Sequence, residues 1–213
     1  MDVYLPRWSP DRRRIAFTGG PPGGTGGIYL LSSEGGTPQE LMPGEHNRED
    51  PSWSPDGNSL CFGASDPGEG GASRIRLLEL RTPKVSTLPG SEGLRSPVWS
   101  PDGRYVAAVT SIGQKLRLFD FTAQKWSELG EVMVSNLTWS RNGTYIYFDS
   151  WADSAIFRVR IADRKVERVV NLRHVSRAFS STSFWMGLAP DDSPLVLRDA
   201  STQEIYALDW EAP

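Results

Sequence analysis

The stretch Pro97-Val98-Trp99-Ser100-Pro101-Asp102-Gly103 is one copy of a motif that recurs along the chain. Three further copies keep its tryptophan: Trp8-Ser9-Pro10-Asp11, Trp53-Ser54-Pro55-Asp56-Gly57 and Trp139-Ser140-Arg141-Asn142-Gly143. A weaker fifth copy has leucine in that place: Leu188-Ala189-Pro190-Asp191-Asp192. The tryptophan of each copy, or the leucine of the fifth, stands at position 8, 53, 99, 139 or 188, so the copies are 40 to 49 residues apart. This spacing is the period of a β-propeller blade.

The motif has the chemistry of a tight turn between two strands. Proline presets φ, aspartate can bond its own backbone, and glycine accepts a positive φ. An apolar triplet begins seven residues after the tryptophan or leucine of each copy: Ile15-Ala16-Phe17, Leu60-Cys61-Phe62, Val106-Ala107-Ala108, Ile146-Tyr147-Phe148 and Leu195-Val196-Leu197. Each copy therefore predicts a hairpin, and we expect its large aromatic residue to end the first strand and pack between neighbouring sheets.

Two more strands follow in each repeat. The third begins at an apolar run, often alternating with arginine: Ile28-Tyr29-Leu30-Leu31, Ile75-Arg76-Leu77-Leu78, Leu116-Arg117-Leu118-Phe119, Ile156-Phe157-Arg158-Val159 and Ile205-Tyr206-Ala207-Leu208. The fourth is polar, as at residues 82–88, 124–129 and 163–169, and such charged strands suit an exposed sheet edge. Five repeats of four strands predict an all-β fold, a β-propeller.

The pattern Pro-x-Trp-Ser-Pro-Asp-Gly, followed by these strands, resembles the WD40-like (PD40) repeat of the TolB propeller family. Its best copies are those at Trp53 and Trp99; Arg12 replaces glycine in the first copy, and Arg141-Asn142 replaces Pro-Asp in the fourth. No tryptophan is followed by aspartate, so true WD40 repeats match less well. The resemblance implies a sensor or interaction domain of a larger bacterial regulator, kinase or envelope protein.

The repeats indicate one domain over residues 1–213, with blades near 1–44, 45–90, 91–130, 131–172 and 173–213. The fifth repeat lacks an outer strand in the sequence. We therefore expect five blades of a larger ring of six to eight, and a closed five-bladed ring is the alternative.

Composition excludes several classes of function. The net charge is −3 and the pI about 5.5, which argues against direct nucleic-acid binding because that needs a basic face. No stretch has the length of a membrane span or the apolar core of a signal peptide. The lone Cys61 allows no intrachain disulfide. Periplasm and cytoplasm both remain open as the compartment.

Few residues suggest catalysis, and we expect no cofactor and no metal. A metal site would need His46 and His174 to converge with carboxylates such as Glu45 or Asp50, and loop histidines are the simpler interpretation. Cys61 is expected to be a small buried residue. The glycine-rich residues 19–27 and 67–71 are expected to be loops between the second and third strands of their blades, since a strand and not a helix follows.

These observations predict a non-catalytic module that binds a protein or peptide. The alternative is a propeller hydrolase or lyase, which would show carboxylates with shifted pKa values clustered near the axis. A structural spacer is a third interpretation. The tryptophans outside the motif are either interface anchors or core residues: Trp126, Trp151, Trp185 and Trp210.

Overall fold

The computed structural model describes residues 1–44, 47–65, 72–111, 115–131, 133–150, 152–178 and 184–201. These ranges contain strands and turns, and none of their residues is helical. No helix that could span a membrane is found in them. The strands are β1 (Asp2–Trp8), β2 (Arg14–Gly20), β3 (Gly27–Ser32), β4 (Gln39–Glu40), β5 (Asn47–Trp53), β6 (Ser59–Ser65), β7 (Ser73–Glu79), β8 (Lys84–Thr87), β9 (Leu94–Trp99), β10 (Tyr105–Thr110), β11 (Lys115–Asp120), β12 (Lys125–Glu131), β13 (Val134–Trp139), β14 (Tyr145–Ser150), β15 (Ala155–Arg160), β16 (Val166–Asn171), β17 (Met186–Leu188) and β18 (Pro194–Val196).

Sixteen of these strands form four antiparallel sheets of four, each in chain order: β1–β4, β5–β8, β9–β12 and β13–β16. The strands β17 and β18 pair as a further hairpin. The first strands of successive sheets contact one another in series, β1 with β5, β5 with β9 and β9 with β13. The sheets are therefore blades around a common axis, with β1, β5, β9 and β13 innermost, and the predicted all-β propeller is confirmed.

A buried serine organises each motif hairpin. Ser100 Oγ donates to Asp102 Oδ1 at 2.5 Å and accepts the amide N–H of Tyr105 at 2.8 Å. The same carboxylate oxygen accepts the N–H of Arg104 at 3.0 Å. The three bonds recur in the other hairpins, around Ser9, Ser54 and Ser140. The predicted bonding of aspartate to its own backbone is thus present, and the serine supports it.

The last motif position lies in the left-handed region of backbone space. Its φ is +69° at Gly57, +77° at Gly103 and +70° at Gly143, and Arg12 holds the same conformation at +59°. Each glycine also lies against the preceding hairpin: a Cβ on Gly103 would be 3.6 Å from Pro55 Cγ. Proline and glycine of consecutive motifs therefore pack in contact around the ring.

The core is formed between blades. The second and third strands of the blades supply the fully buried residues, among them Leu60, Phe62 and Ile75, each at most 1% exposed. One cluster joins Ala16 and Ile28 of the first blade to Trp53, Leu60 and Phe62 of the second. Another joins the third blade to the fourth around Trp139. Apolar burial of this kind, at roughly 25 cal/mol per Å², stabilises the contacts between blades.

All four motif tryptophans end their strands, but they do not all pack between sheets. Trp53 and Trp139 are 7% exposed, whereas Trp8 is 57% exposed. The expectation is wrong for Trp8 because, among the described residues, its indole has no preceding blade to contact. Trp99 is partly buried and packs against a cluster of second- and third-blade residues, while its indole N–H bonds to Gly103 of its own hairpin. The predicted strand at residues 205–208, Trp151, Trp210 and the loop at residues 67–71 lie outside the described residues.

Candidate functional site

Each of the first three innermost strands is interrupted three residues before its tryptophan. The pairing register shifts at this point in β1, β5 and β9. The interrupting residues have positive φ values of 47°, 57° and 51° and each precedes a proline: Leu5, Asp50 and Ser96. Such bulges change the direction of a side chain and are common beside functional sites. Here they occupy equivalent places on strands around the axis.

Asp50 connects three blades at this level. Its amide N–H donates to Thr18 Oγ1 of the first blade at 2.9 Å. Its Oδ2 accepts the Ser96 hydroxyl of the third blade at 2.5 Å. The bulge therefore places one carboxylate where it holds neighbouring inner strands together.

Arg7, Glu49 and Arg95 surround Asp50, and we call these four residues and Ser96 the axial cluster. Burial raises the pKa of Asp50, and the Ser96 hydroxyl and the charges of Arg7 and Arg95 oppose that rise. Burial raises the pKa of Glu49, the charge of Asp50 adds to the rise, and Arg95 opposes it. Burial also lowers the pKa of Arg7, against the attraction of Asp50.

The axial cluster brings together charged groups of both signs. Its charges are partly removed from water, where interactions between charges are stronger than at an exposed surface. Arg95 is oriented by its Nε–H, which donates to the Ser111 carbonyl at 3.0 Å. Two carboxylates and two guanidinium groups offer sites for ligand groups of either sign.

The candidate catalytic residues do not form a site in the described part of the chain. There, no group of three or more histidine, cysteine, aspartate or glutamate side chains could hold a metal ion. His174 is exposed after β16, while His46 and Glu45 lie outside the described residues. Cys61 is 0% exposed in β6, and burial raises the pKa of its thiol to about 12, which leaves it unreactive near neutral pH.

Arg14, the connection after β2 and Trp126 have structural positions. The guanidinium of Arg14 donates to the Gly57 carbonyl at 3.2 Å and lies 4.9 Å from the Trp53 ring centre. The predicted loop at residues 19–27 is shorter in the structure: residues 21–26 connect β2 to β3, whereas Gly19 and Gly20 end β2 and Gly27 begins β3. Trp126 donates its indole N–H to the Pro89 carbonyl at 2.8 Å, which anchors β12 to the loop after β8.

The sequence pattern does not indicate a site role for four residues: Arg7, Glu49, Arg95 and Ser96. The available signal was the proline two residues before the tryptophan, present in the first three repeats as Pro6, Pro51 and Pro97. It marks the bulge, but the register of the inner strands was needed to bring the five side chains together.

The TolB beta propeller domain (PD40) family model matches residues 2–181. No curated protein matches the chain significantly. Among solved structures, TolB from Acinetobacter baumannii is 20% identical, with a TM-score of 0.69, over 90% of this chain and 52% of its own. A protein assigned as TolB from Agrobacterium tumefaciens is 22% identical, with a TM-score of 0.64, over 78% of this chain and 65% of its own.

An auxiliary nutrient binding protein from Bacteroides thetaiotaomicron is 10% identical, with a TM-score of 0.62, over 91% of this chain and 46% of its own. The chain thus spans about half the length of the first structure and less than two thirds of the second. At these identities the structural likeness is one of fold, whereas the family model covers most of the sequence. By that match, the chain belongs to the TolB β-propeller domain family.

Proposed function

We propose that this chain is a non-catalytic binding module that recognises a protein or peptide through the axial cluster. The observation that carries the proposal is the set of partly buried charges, Arg7, Glu49, Asp50 and Arg95, held by bulges on three inner strands. A peptide carries positive and negative groups, and the axial cluster offers charges of both signs to bind them. A role within a larger bacterial regulatory or envelope protein remains a prediction of the resemblance.

Burial of these charges favours recognition over a purely structural role. An exposed ion pair contributes little, whereas a partly desolvated one gains more when a ligand charge completes it. A spacer would have no need for two carboxyl groups with raised pKa values on the bulged strand β5, close to Arg7 of β1 and Arg95 of β9. The positive φ of Asp50 also costs energy, and such strain is typical of functional sites.

The test is a selection of linear peptides displayed on phage against the 213-residue chain, followed by titration calorimetry of the selected peptides. The variant Glu49→Gln/Arg95→Met removes two charges of the axial cluster and leaves Asp50 and its bond to Ser96 in place. We expect it to weaken binding by at least about tenfold. The matched control is Glu79→Gln/Lys84→Met, which removes one charge of each sign from exposed positions of the second blade.

Selected peptides that bind both variants as tightly as the parent chain would contradict the proposal, because their site would then lie elsewhere. A selection that returns no binding peptide would contradict it as well. Circular dichroism on both variants checks that any loss comes from the site and not from unfolding.

A second candidate is the hydrolase or lyase with an axial acidic site, and the raised pKa values of Glu49 and Asp50 favour it. A carboxyl group with a raised pKa can act as a general acid near neutral pH. Turnover of polysaccharide substrates that is lost in Glu49→Gln and kept in Glu79→Gln would establish this activity. The binding module predicts no turnover by any of these proteins.

A further inference from the structure

Indole groups connect blades at two of the junctions. The Nε1–H of Trp53 donates to the carbonyl of Arg7, and that of Trp139 donates to the carbonyl of Val98, both at 3.0 Å. In each case the acceptor is the residue before the preceding motif tryptophan. We call the space that such an indole fills, between two consecutive hairpins, the indole slot.

Trp99 does not follow this pattern. Its Nε1–H donates to the Gly103 carbonyl of its own hairpin at 3.2 Å, and its ring stacks on Phe121 with centres 5.4 Å apart. The Ser52 carbonyl, which stands where Arg7 and Val98 accept, receives no indole N–H from Trp99. Only the amide N–H of Trp99 reaches Ser52, through the hydroxyl at 3.0 Å.

One position explains the difference. Six residues after the preceding tryptophan, Arg14 lies 4.9 Å from the Trp53 ring centre and Tyr105 stacks on Trp139 with centres 6.3 Å apart. The equivalent residue of the second blade is Ser59. A serine offers no flat group for an indole to stack on, so Trp99 stacks on Phe121 instead.

A cavity of about 350 Å³ lies at this junction. It is lined by residues from three consecutive motif hairpins: Arg7, Trp8, Pro10, Ser52, Trp53, Pro55, Trp99, Ser100 and Pro101. We call it the junction pocket. Its walls are mainly tryptophan and proline, and its size suits a single large side chain.

Charge on this face is positive, although the chain as a whole has a net charge of −3. Arg7 is the only charged residue that lines the pocket. Arg12, Arg13 and Arg141 are exposed at the hairpin ends. The carboxylates of Asp11, Asp56 and Asp102 remain charged in the turns of these hairpins. Over residues 7–14, 52–59 and 98–105 the arginines outnumber them five to three: Arg7, Arg12, Arg13, Arg14 and Arg104. An apolar pocket with a basic rim complements an acidic segment that has an aromatic anchor.

We infer that the junction pocket binds the indole of a tryptophan in an acidic segment of a partner protein. The indole ring lies among Trp53, Trp99 and Pro55. Its N–H donates to the Ser52 carbonyl, as the indoles of Trp53 and Trp139 donate to the carbonyls of Arg7 and Val98. Glutamate or aspartate beside the tryptophan meets the basic rim. The pocket shares Arg7 with the axial cluster, but Glu49, Asp50, Arg95 and Ser96 do not line it.

The probe is the acetylated and amidated pentapeptide Glu-Glu-Trp-Glu-Glu containing 5-fluorotryptophan, titrated with the 213-residue chain and followed by fluorine NMR. Two comparison probes replace the tryptophan by 4-fluorophenylalanine or every glutamate by lysine. We expect the acidic tryptophan peptide to bind at least about tenfold more tightly than either. Its affinity should also fall as salt is added.

The decisive variant is Ser59→Tyr, which alters no residue of the pocket wall. It supplies the stacking partner that Tyr105 gives to Trp139, so Trp99 should enter the slot and fill the pocket. Binding of the acidic tryptophan peptide should then fall at least about tenfold. Ser86→Tyr adds the same side chain at an exposed position of β8 and should leave the affinity unchanged.

Equal affinity of the tryptophan and phenylalanine peptides would overturn the inference. So would unchanged binding by Ser59→Tyr in a protein whose circular dichroism shows the native fold. Binding of a short single-stranded oligonucleotide at this face, with no binding of the acidic peptide, would show that the basic rim has a different ligand. The axial variant Glu49→Gln/Arg95→Met should bind the probe normally, which separates this test from that of the proposed function.

Discussion

The indole N–H of Trp139 donates to the carbonyl of Val98 across 3.0 Å, and this bond joins the fourth blade to the third. The ring is 7% exposed and stacks on Tyr105. The bond gives the indole N–H a partner that it would otherwise lack in this buried position, while the ring fills the space between two sheets. A repeated sequence thus gives a repeated contact, as the Trp53 bond to Arg7 also shows.

Replacing Trp139 by alanine should therefore destabilise the protein strongly. We expect a loss of about 3–5 kcal/mol in the free energy of unfolding, the usual cost of deleting a large buried aromatic ring. Urea denaturation followed by circular dichroism measures it. The matched control is Trp8→Ala, which removes the same side chain where it is 57% exposed and should change stability by less than about 1 kcal/mol. Equal losses in the two variants would refute the role given to the blade junction.

Arg12 holds a backbone conformation that glycine holds in three other hairpins. Replacing Arg12 by glycine relieves this backbone strain. Part of the gain in stability is lost because glycine has more conformational freedom in the unfolded chain. Arg12→Gly should raise the free energy of unfolding by about 0.5–1 kcal/mol. Gly103→Ala, the reverse change at the equivalent position, should lower it by about 1–2 kcal/mol. A destabilised Arg12→Gly protein would mean that the arginine side chain stabilises the fold by more than its backbone strain costs.

The carboxylate of Asp56 in the second motif hairpin should make the free energy of unfolding depend on pH in the acid range. Bonds from the Ser54 hydroxyl and the Asn58 amide lower its pKa from 3.8 to about 2. The folded state therefore favours the ionised form, so this stabilisation is present above pH 3.8 and is lost as the pH falls towards about 2. In Ser54→Ala the free energy of unfolding should fall less steeply over this range. Urea titrations at several pH values measure the slope, and Ser86→Ala should keep the parent slope.

Cys61 should resist alkylation in the folded protein. Burial raises the pKa of its thiol to about 12 and hides it from solvent, so the reactive thiolate is scarce and inaccessible. Mass spectrometry after iodoacetamide treatment should show modification in urea and almost none in native buffer. Rapid modification of the native protein would mean that β6 opens frequently.

The regular parts of the fold could be predicted because the motif sets them locally. Turn chemistry and the apolar triplet after each tryptophan predicted the hairpins that begin each blade, and the alternating runs predicted β3, β7, β11 and β15. The packing of one blade on the next depends on pairs of residues from different repeats, and it was therefore harder to predict from the sequence. The behaviour of Trp99 depends on Ser59, a residue 40 positions earlier with no motif of its own.

The axial cluster was also difficult to predict from the sequence. A bulge shifts the register by one residue and changes which side chains meet, and no hydrophobic pattern in these polar inner strands indicates it. Glu49 and Asp50 are adjacent in sequence, but the packing of the inner strands is what brings Arg95 into electrostatic contact with both and Arg7 with Asp50. Local rules predict the blade, whereas the site is created by the contacts between blades.

Titration calorimetry of the tightest displayed peptide against the parent chain, Glu49→Gln/Arg95→Met and Glu79→Gln/Lys84→Met tests the proposed function most directly. We expect a loss of affinity of at least about tenfold for the first variant and none for the second. Equal affinity for all three proteins would contradict it, because binding would then not involve the axial cluster.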